Sequence, residues 1–470
     1  MKKHWPLVLF LIFYFSIIAF KLISHPTPFF DWDESLYIQT GKEMIEQSKF
    51  LMPVWQGAYW LDKPPLIPLI YGLITKLTFF STPEITTRIF SLIISIIILG
   101  FIYVFYNRVL KNKWLSILVV AITGFTPLFL QRAQTVNLDI FVLLGWLGYV
   151  IFFDNFFVSL FFLFIAMMAK SLIGFYPIAL ITICYLYRFF RKEIKIIELK
   201  KIIKKIFIHS LILSFWYVAM LTIFGQPFFR QHIIESHFRR VTSSIEFHFG
   251  ERTYYITLAI QQMGYFFYLA VIGGIIMLIN FLKKKVSTTE LFFSLYLLGW
   301  FIFLNLTKTK IFWYLYPAIP QFAFLGVYCI KQINQKSLKI FFYLFLTFVL
   351  FYQSTKQNIL AIIYSKPEPY YYLSLYAKNN CQSLNVLINK TSRNDFGTLD
   401  KLGLLITTTK WWGEHPSMVY YFGKKIKFYY QVESFNNSFK NTGCFVIDKN
   451  DENYSGIRSM KYGDYYLIVK

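Results

Sequence analysis

WPLVLFLIFYFSIIAFKLI, residues Trp5–Ile23, follows Met1-Lys2-Lys3-His4 and runs into Ser24-His25-Pro26-Thr27-Pro28. A helix of about 19 apolar residues spans the roughly 30 Å hydrocarbon core of a bilayer. No A-x-A-like cleavage site follows, so the run reads as a retained first membrane helix rather than a signal peptide. Further apolar runs lie near residues 85–106, 114–130, 138–153, 156–169, 173–187, 206–225, 254–282, 290–306, 312–330 and 339–364, for about eleven helices. Composition agrees. The 470 residues are 56% hydrophobic, 21% aromatic and only 15% charged, with a mean hydropathy of +0.48. Soluble chains carry about 25% charged residues. A single water-soluble globule and a disordered chain are both excluded.

The net charge of +24 gains meaning from its position. Basic residues collect before the first run (Lys2, Lys3) and after alternate later runs: Arg108, Lys111 and Lys113; Arg188, Arg191, Lys192, Lys195, Lys200, Lys201, Lys204 and Lys205; Lys283–Lys285; and Lys331, Lys336 and Lys339. The positive-inside rule puts these in the cytoplasm and, by parity, residues 25–84, 226–252 and the C-terminal segment outside. The charge is accounted for by topology, and no nucleic-acid partner is expected.

The expected fold class is an all-α polytopic membrane protein with a small extracytoplasmic C-terminal α/β domain. Its membrane domain covers 1–365, with outside loops at 25–84 and 226–252, and its soluble domain covers 366–470. In the latter, short alternating runs at 385–388, 404–407, 418–422, 425–430, 444–447 and 465–469 read as strands between Gly, Asn, Asp and Ser clusters. Cys381 and Cys444 lie there and can pair in an oxidising compartment; Cys184 and Cys329 read as packing residues in membrane helices. No CxxC zinc pattern, GxGxxG or P-loop occurs.

The chemistry sits in the outside loops. Asp31-Trp32-Asp33-Glu34 places three carboxylates in four residues. Asp33 suits an N-cap for a helix with Leu36, Ile38, Met44 and Ile45 on its apolar face, yet capping alone requires neither three acids nor Trp32. Tyr59-Trp60-Leu61-Asp62-Lys63-Pro64-Pro65 ends in prolines that start a helix, and Lys63 at a helix N-terminus suits a phosphate. Arg88, Arg132 with Asp139, Lys170, and Lys308, Lys310, Tyr314 and Tyr316 recur at outside ends of helices, either as interfacial anchors or as the lining of a basic pocket. The 226–252 loop carries His232, His237 and His248 with Glu235, Glu246 and Glu251; it reads equally as a divalent-cation site or as an interfacial helix.

Carboxylates, a phosphate clamp and a membrane scaffold suit group transfer from a lipid phosphate. In order along residues 1–330, Trp32-Asp33-Glu34 with Tyr37, Asp62-Lys63-Pro64-Pro65, Arg88-Ile89-Phe90, Arg132 with Asp139, Lys170, the 228–240 segment, and Lys310 through Tyr316-Pro317 to Pro320 resemble the GT-C integral-membrane glycosyltransferases. The likeness is to the bacterial branch related to protein O-mannosyltransferases and the lipid A aminoarabinose transferase. It implies Asp33 as catalytic base, with Glu34 and Asp139 supporting. It implies Lys63, Arg88, Arg132, Lys170, Lys310 and Tyr316 around the donor phosphate, and Asp62 and His237 as ligands of a divalent metal ion. Ser171-Leu172-Ile173-Gly174 departs from the Gly-Pro usual after the lysine in relatives, and the motifs that carry the resemblance end near residue 330, so that residues 366–470 match no domain that can be named from sequence. The resemblance implies an inverting transferase in the bacterial inner membrane. Its donor would be a polyprenyl-phosphate sugar and its acceptor lipid A or another envelope glycan, with membrane lipids around it. A protein Ser/Thr acceptor is the alternative. A lipid or solute transporter is a reading of another class, against which stand the one-sided charges and the absence of a repeat.

Overall fold

The structure, a computed structural model, describes residues 4–77, 82–246, 248–333, 335, 337, 338, 340, 341, 367–410, 413, 415–451 and 459–470. The chain forms two compact units interleaved in sequence. One comprises Met1–Ser24, Arg88–Gln226 and Gly250–Ile362; the other comprises His25–Thr87, Pro227–Phe249 and Ile363–Lys470.

The first unit is helical. Among the described residues, five helices are long and apolar enough to cross a membrane: Trp5–Ser24, Pro83–Leu110, Phe156–Phe190, Ile196–Phe224 and Tyr265–Leu282. Two bent pairs, Lys113–Phe125 with Pro127–Ala133 (75°) and Thr288–Leu295 with Leu298–Leu306 (51°), raise the number to seven if each is one span. About eleven were expected, and the difference has local causes. The 114–130 run breaks at Thr126-Pro127, where proline withdraws an N–H and holds Thr126 extended at ψ 133. The 156–169 and 173–187 runs join through a 3-10 turn at Ser171–Phe175. The 138–153 run yields only Asp139–Ile151, 13 residues. The 312–330 run opens as a 3-10 segment, Phe312–Ala318, with Pro317 inside it, before Ile319–Lys331. The run at 339–364 lies, but for residues 340 and 341, outside the described residues, as do Lys2, Lys3, Lys336 and Lys339. Large apolar side chains stay exposed along the long helices, among them Phe20, Phe215 and Leu282, a surface that suits lipid. The chain is a multi-pass membrane protein.

Close helix packing here depends on small residues. A Cβ at Gly145 would meet the Phe162 carbonyl and Ala166 at 2.6 Å. The Asp139–Ile151 and Phe156–Lys170 helices therefore lie almost in backbone contact, which brings Asp139, at the start of one, beside Lys170, at the end of the other.

The second unit draws on all three of its segments. Asp33–Glu46 crosses Leu66–Ile74 with Gly41 against Gly72, and a Cβ at Gly41 would collide with the Pro68 carbonyl. Strands β1 (Val54–Trp55) and β2 (Ala58–Tyr59) form a hairpin whose turn, Gln56-Gly57, has φ 47 and 87. Buried Glu43 fixes that turn by accepting from the Gln56 and Gly57 N–H groups at 2.9 and 2.8 Å.

The C-terminal segment contributes β3 (Leu384–Leu387), β4 (Ile426–Tyr429), β5 (Cys444–Asp448), β6 (Met460–Tyr462) and β7 (Tyr465–Val469), in the spatial order β4-β3-β5-β7-β6. β3 runs parallel to β4 and β5, while β7 is antiparallel to β5 and β6. Leu387, Tyr429, Phe435, Phe445, Ile447 and Ile468 form its core. Two expected strands are not strands. Residues 404–407 lead into a 3-10 turn, Thr407–Lys410. Residues 418–422 belong to the helix Pro416–Phe422, begun by a proline and ended by Gly423 at φ 68. Cys381 and Cys444 are disulfide-bonded.

Gly41→Ala is expected to cost about 1–3 kcal/mol by forcing two helix backbones apart. Thermal unfolding in detergent measures it, with Gly397→Ala, whose added Cβ meets nothing within 4 Å, as the neutral comparison.

Candidate active site

Asp33 does not cap its helix. It is the first helical residue, half-buried, and Trp32 occupies the cap at φ 66, ψ −110 with no side-chain cap bond. That conformation is costly for a residue with a side chain, about 1–3 kcal/mol, and persists only where both flanks are held. Both are. Behind it, Asp31 accepts from His415 Nδ1 at 2.7 Å and from the Ser417 N–H at 2.9 Å. Ahead of it, buried Glu34 accepts from the Phe30 N–H at 2.9 Å, and Ser35 Oγ donates to the Phe30 carbonyl at 2.6 Å. Burial pushes the Asp31 carboxyl up, but its bond to His415 and that residue's charge, with Ser417 and Tyr370, outweigh burial and hold it below the usual range. The two acids of the helix start thus differ: Glu34 braces the turn, and Asp33 is the more accessible.

Asp62 is buried and accepts from Lys63 Nζ at 2.7 Å. Two residues on, Pro65 caps Leu66–Ile74, as the paired prolines predicted. The 226–252 loop forms an unusual wide helix, a π-helix over Phe229–Phe238, whose i→i+5 bonding stacks residues five apart. It pairs Arg230 with Glu235 (3.1 Å), Ser236 with the Gln231 carbonyl (2.7 Å) and the ring of His232 with that of His237 (5.8 Å). His232 is fully buried, bonds the Leu61 carbonyl through Nδ1 at 2.9 Å and stacks on Phe228. Burial, with Lys63 adding to it against Leu61 and Asp62, lowers His232 to about 4. Burial, His232, Lys63 and Arg240 lower His237 well below its ordinary value.

These histidines were candidates for a cation with Asp62. His237 Nε2 is buried with no hydrogen-bond partner among the described residues, which favours a ligand. Against it, Lys63 already occupies Asp62, and the cations Lys63 and Arg240 act on His237. No group of three or more His, Cys, Asp or Glu that could hold a metal is gathered among the described residues. The side chains as placed do not build a closed metal set, and no step is derived through one.

The helical unit brings together Arg132, Asp139 and Lys170. Buried Asp139 accepts from Lys170 Nζ at 2.5 Å and lies 3.8 Å from Arg132 Nη2. Asn137 sets the turn between them, donating to the Arg132 and Thr135 carbonyls and accepting from the Ile140 N–H. Arg132 lies over Trp313 at 4.8 Å and Lys170 over Tyr314 at 4.6 Å, two cation–π contacts from one 3-10 segment. Lys310 is not in this group: it donates to the Leu304 and Asn305 carbonyls and lies over Tyr255. Tyr316 is buried and stacks on Phe129. Arg88, expected at a helix start, is buried in the second turn of Pro83–Leu110.

Sequence reasoning missed His415, Glu43, Glu84 and Tyr421. The Tyr421 hydroxyl donates to Glu84 at 2.7 Å and accepts from the Phe29 N–H at 2.6 Å. Only Glu43 left a signal, the Gln-Gly hairpin turn that needs its carboxylate. The others meet their partners across more than 300 residues.

The chain aligns over 98% of its length with the crystal structure of ArnT from Cupriavidus metallidurans bound to undecaprenyl phosphate, covering 97% of that chain with a TM-score of 0.68 at 10% identity. The apo state of the same protein gives 0.64 at 12% identity. An oligosaccharyltransferase of Archaeoglobus fulgidus gives 0.60 at 12% identity over 96% of this chain and 70% of that one. In sequence, an uncharacterized protein of Aquifex aeolicus (strain VF5) is 24% identical over 358 residues, 72% of this chain and 67% of that protein. A second from the same strain is 25% identical over 349 residues, 71% and 74%. No family model matches. The fold is that of the GT-C integral-membrane glycosyltransferases, the class its motifs resemble.

Because His232 is depressed to about 4 from 6.5, the unfolded chain binds its proton first on acidification. The stabilisation is present above pH 6.5 and is lost as pH falls through 4. At about 1.36 kcal/mol per pKa unit, the window amounts to about 3 kcal/mol. Thermal midpoints between pH 7.5 and 4.5 are expected to fall more steeply for the wild type than for His232→Gln.

Proposed function

We propose that the protein is an inverting glycosyltransferase of the outer face of the bacterial inner membrane, using a polyprenyl-phosphate sugar as donor. The observation that carries this reading is the end-to-end likeness to a transferase solved with undecaprenyl phosphate, on a chain whose second unit carries Asp33 beside a braced Glu34. The reading includes the sidedness taken from the basic loops, with the second unit outside. The Cys381–Cys444 disulfide supports that placement, since such bonds persist in oxidising compartments.

In the proposed step the acceptor oxygen attacks the anomeric carbon while Asp33 takes its proton. The bond from that carbon to the donor's phosphate oxygen breaks, and polyprenyl phosphate leaves with the electron pair. Lys63 has three N–H groups, one given to Asp62, so it can still meet a phosphate oxygen. Neutral His232 and His237 keep further positive charge away from Lys63. Lys170 and Arg132, balanced by Asp139, are assigned to donor binding with Arg88 and Tyr316, as the resemblance implies; Lys310, which it also implies, lies apart from that group on the Leu304 and Asn305 carbonyls. The preferred acceptor is lipid A or another envelope glycan. A protein acceptor is the second reading, favoured by the likeness to an oligosaccharyltransferase.

Asp33→Asn is expected to lower transfer by at least about 10²–10⁴-fold, the range for a general base, with insertion and thermal stability unchanged. Transfer by purified protein, read by mass spectrometry of envelope lipids, measures it, and full activity removes Asp33 from the role. Thorough chelation is expected to leave turnover unchanged. A loss restored by one divalent cation gives Asp62 and His237 the ligand role that their arrangement does not support.

A further inference from the structure

His415 sits in the C-terminal segment, 382 residues after Asp33, yet its ring is held on three sides. Nδ1 donates to Asp31 at 2.7 Å, Nε2 shares a hydrogen bond with the Tyr465 hydroxyl at 2.7 Å, and the Tyr370 ring stacks on its face at 4.0 Å and 21°. Two residues further on, the Ser417 N–H bonds the other oxygen of Asp31. Asp31 is thus gripped from the start of the Pro416–Phe422 helix, and Tyr421 of that helix takes the Phe29 N–H. All these groups belong to the second unit.

The grip lies next to the strained residue. Trp32 at φ 66, ψ −110 is half-exposed, so packing of its ring does not account for the conformation. The main chain is forced through it because residue 31 is tied to the C-terminal segment and residue 34 to Phe30. Released at residue 31, the backbone can relax towards an ordinary conformation, and the Asp33 carboxylate turns with it.

We infer that His415, with Asp31 and Tyr465, is a positioning device that aims Asp33 by holding Trp32 in a strained conformation, so that the C-terminal segment is part of the catalytic apparatus. This rests on the reading of Asp33 as base. A misplacement of about 1 Å in a reacting group costs about 100-fold in rate, so the device acts on kcat and leaves donor binding alone.

The test uses the full-length protein in nanodiscs with a polyprenyl-phosphate sugar. His415→Ala is expected to lower kcat by about 10- to 100-fold with the donor KM unchanged. His415→Gln, whose amide can donate to Asp31 and accept from Tyr465, is expected to recover kcat to within about threefold. Arg393→Gln breaks an ion pair to Asp451 inside the C-terminal segment; it is expected to lower the thermal midpoint without moving kcat. Retention of kcat by His415→Ala overturns the inference, as does a Gln variant no better than Ala or an equal loss of kcat in Arg393→Gln. Asp33→Asn, run in parallel, separates the two ideas: its full activity defeats the base reading, whereas its inactivity beside a fully active His415→Ala defeats the positioning role alone.

Discussion

A carboxylate taken out of water must be met by cations or N–H and O–H donors, and that requirement organises both units. Buried Asp139 is met by Lys170 and Arg132, Asp62 by Lys63, Glu34 by the Phe30 N–H, and Glu235 by Arg230 and Thr407. Each solution fixes backbone as well as charge. The Asp139 group ties the start of the Asp139–Ile151 helix to the end of the Phe156–Lys170 helix, and the Glu235 group joins the π-helix to the C-terminal segment. Breaking a buried pair strands a charge, at about 3–5 kcal/mol. These acids are therefore also the ones that hold the parts of each unit in place.

Aromatic rings do the complementary work for cations. Trp313 and Tyr314 face Arg132 and Lys170 from a short 3-10 stretch broken by Pro317, and Tyr255 faces Lys310. A flat ring lowers the cost of burying a guanidinium or ammonium without neutralising it.

How much was legible follows from the range of each interaction. The helical class, the helix after Pro64-Pro65 and four of the C-terminal strands come from local periodicity and turn residues. The pairing of Lys170 with Asp139 could be guessed only as a shared side of the membrane, because the approach depends on Gly145 meeting Phe162 and Ala166. Among the described residues fewer continuous spans stand than the apolar runs suggest, because proline and 3-10 breaks cut or merge such runs without changing their hydropathy. Asp33 suits a cap on its neighbours alone, whereas residue 32 is set by a histidine 383 positions away. Residues 418–422 read as a strand since five residues cannot distinguish the two periods. The π-helix was invisible: His232 and His237 at a spacing of five match neither a zinc signature nor an α-helical face.

The second unit is assembled from the second, the middle and the last portions of the chain. Its loop at 25–87 cannot complete its hydrogen bonds until residues 407–421 have been synthesised and delivered. Every ribosome-bound copy thus carries an unfinished acid cluster for most of its synthesis time. Contacts this distant in sequence are slow to close. A chain cut short before residue 407 keeps its apolar helices yet lacks the groups that hold Asp31 and Phe29.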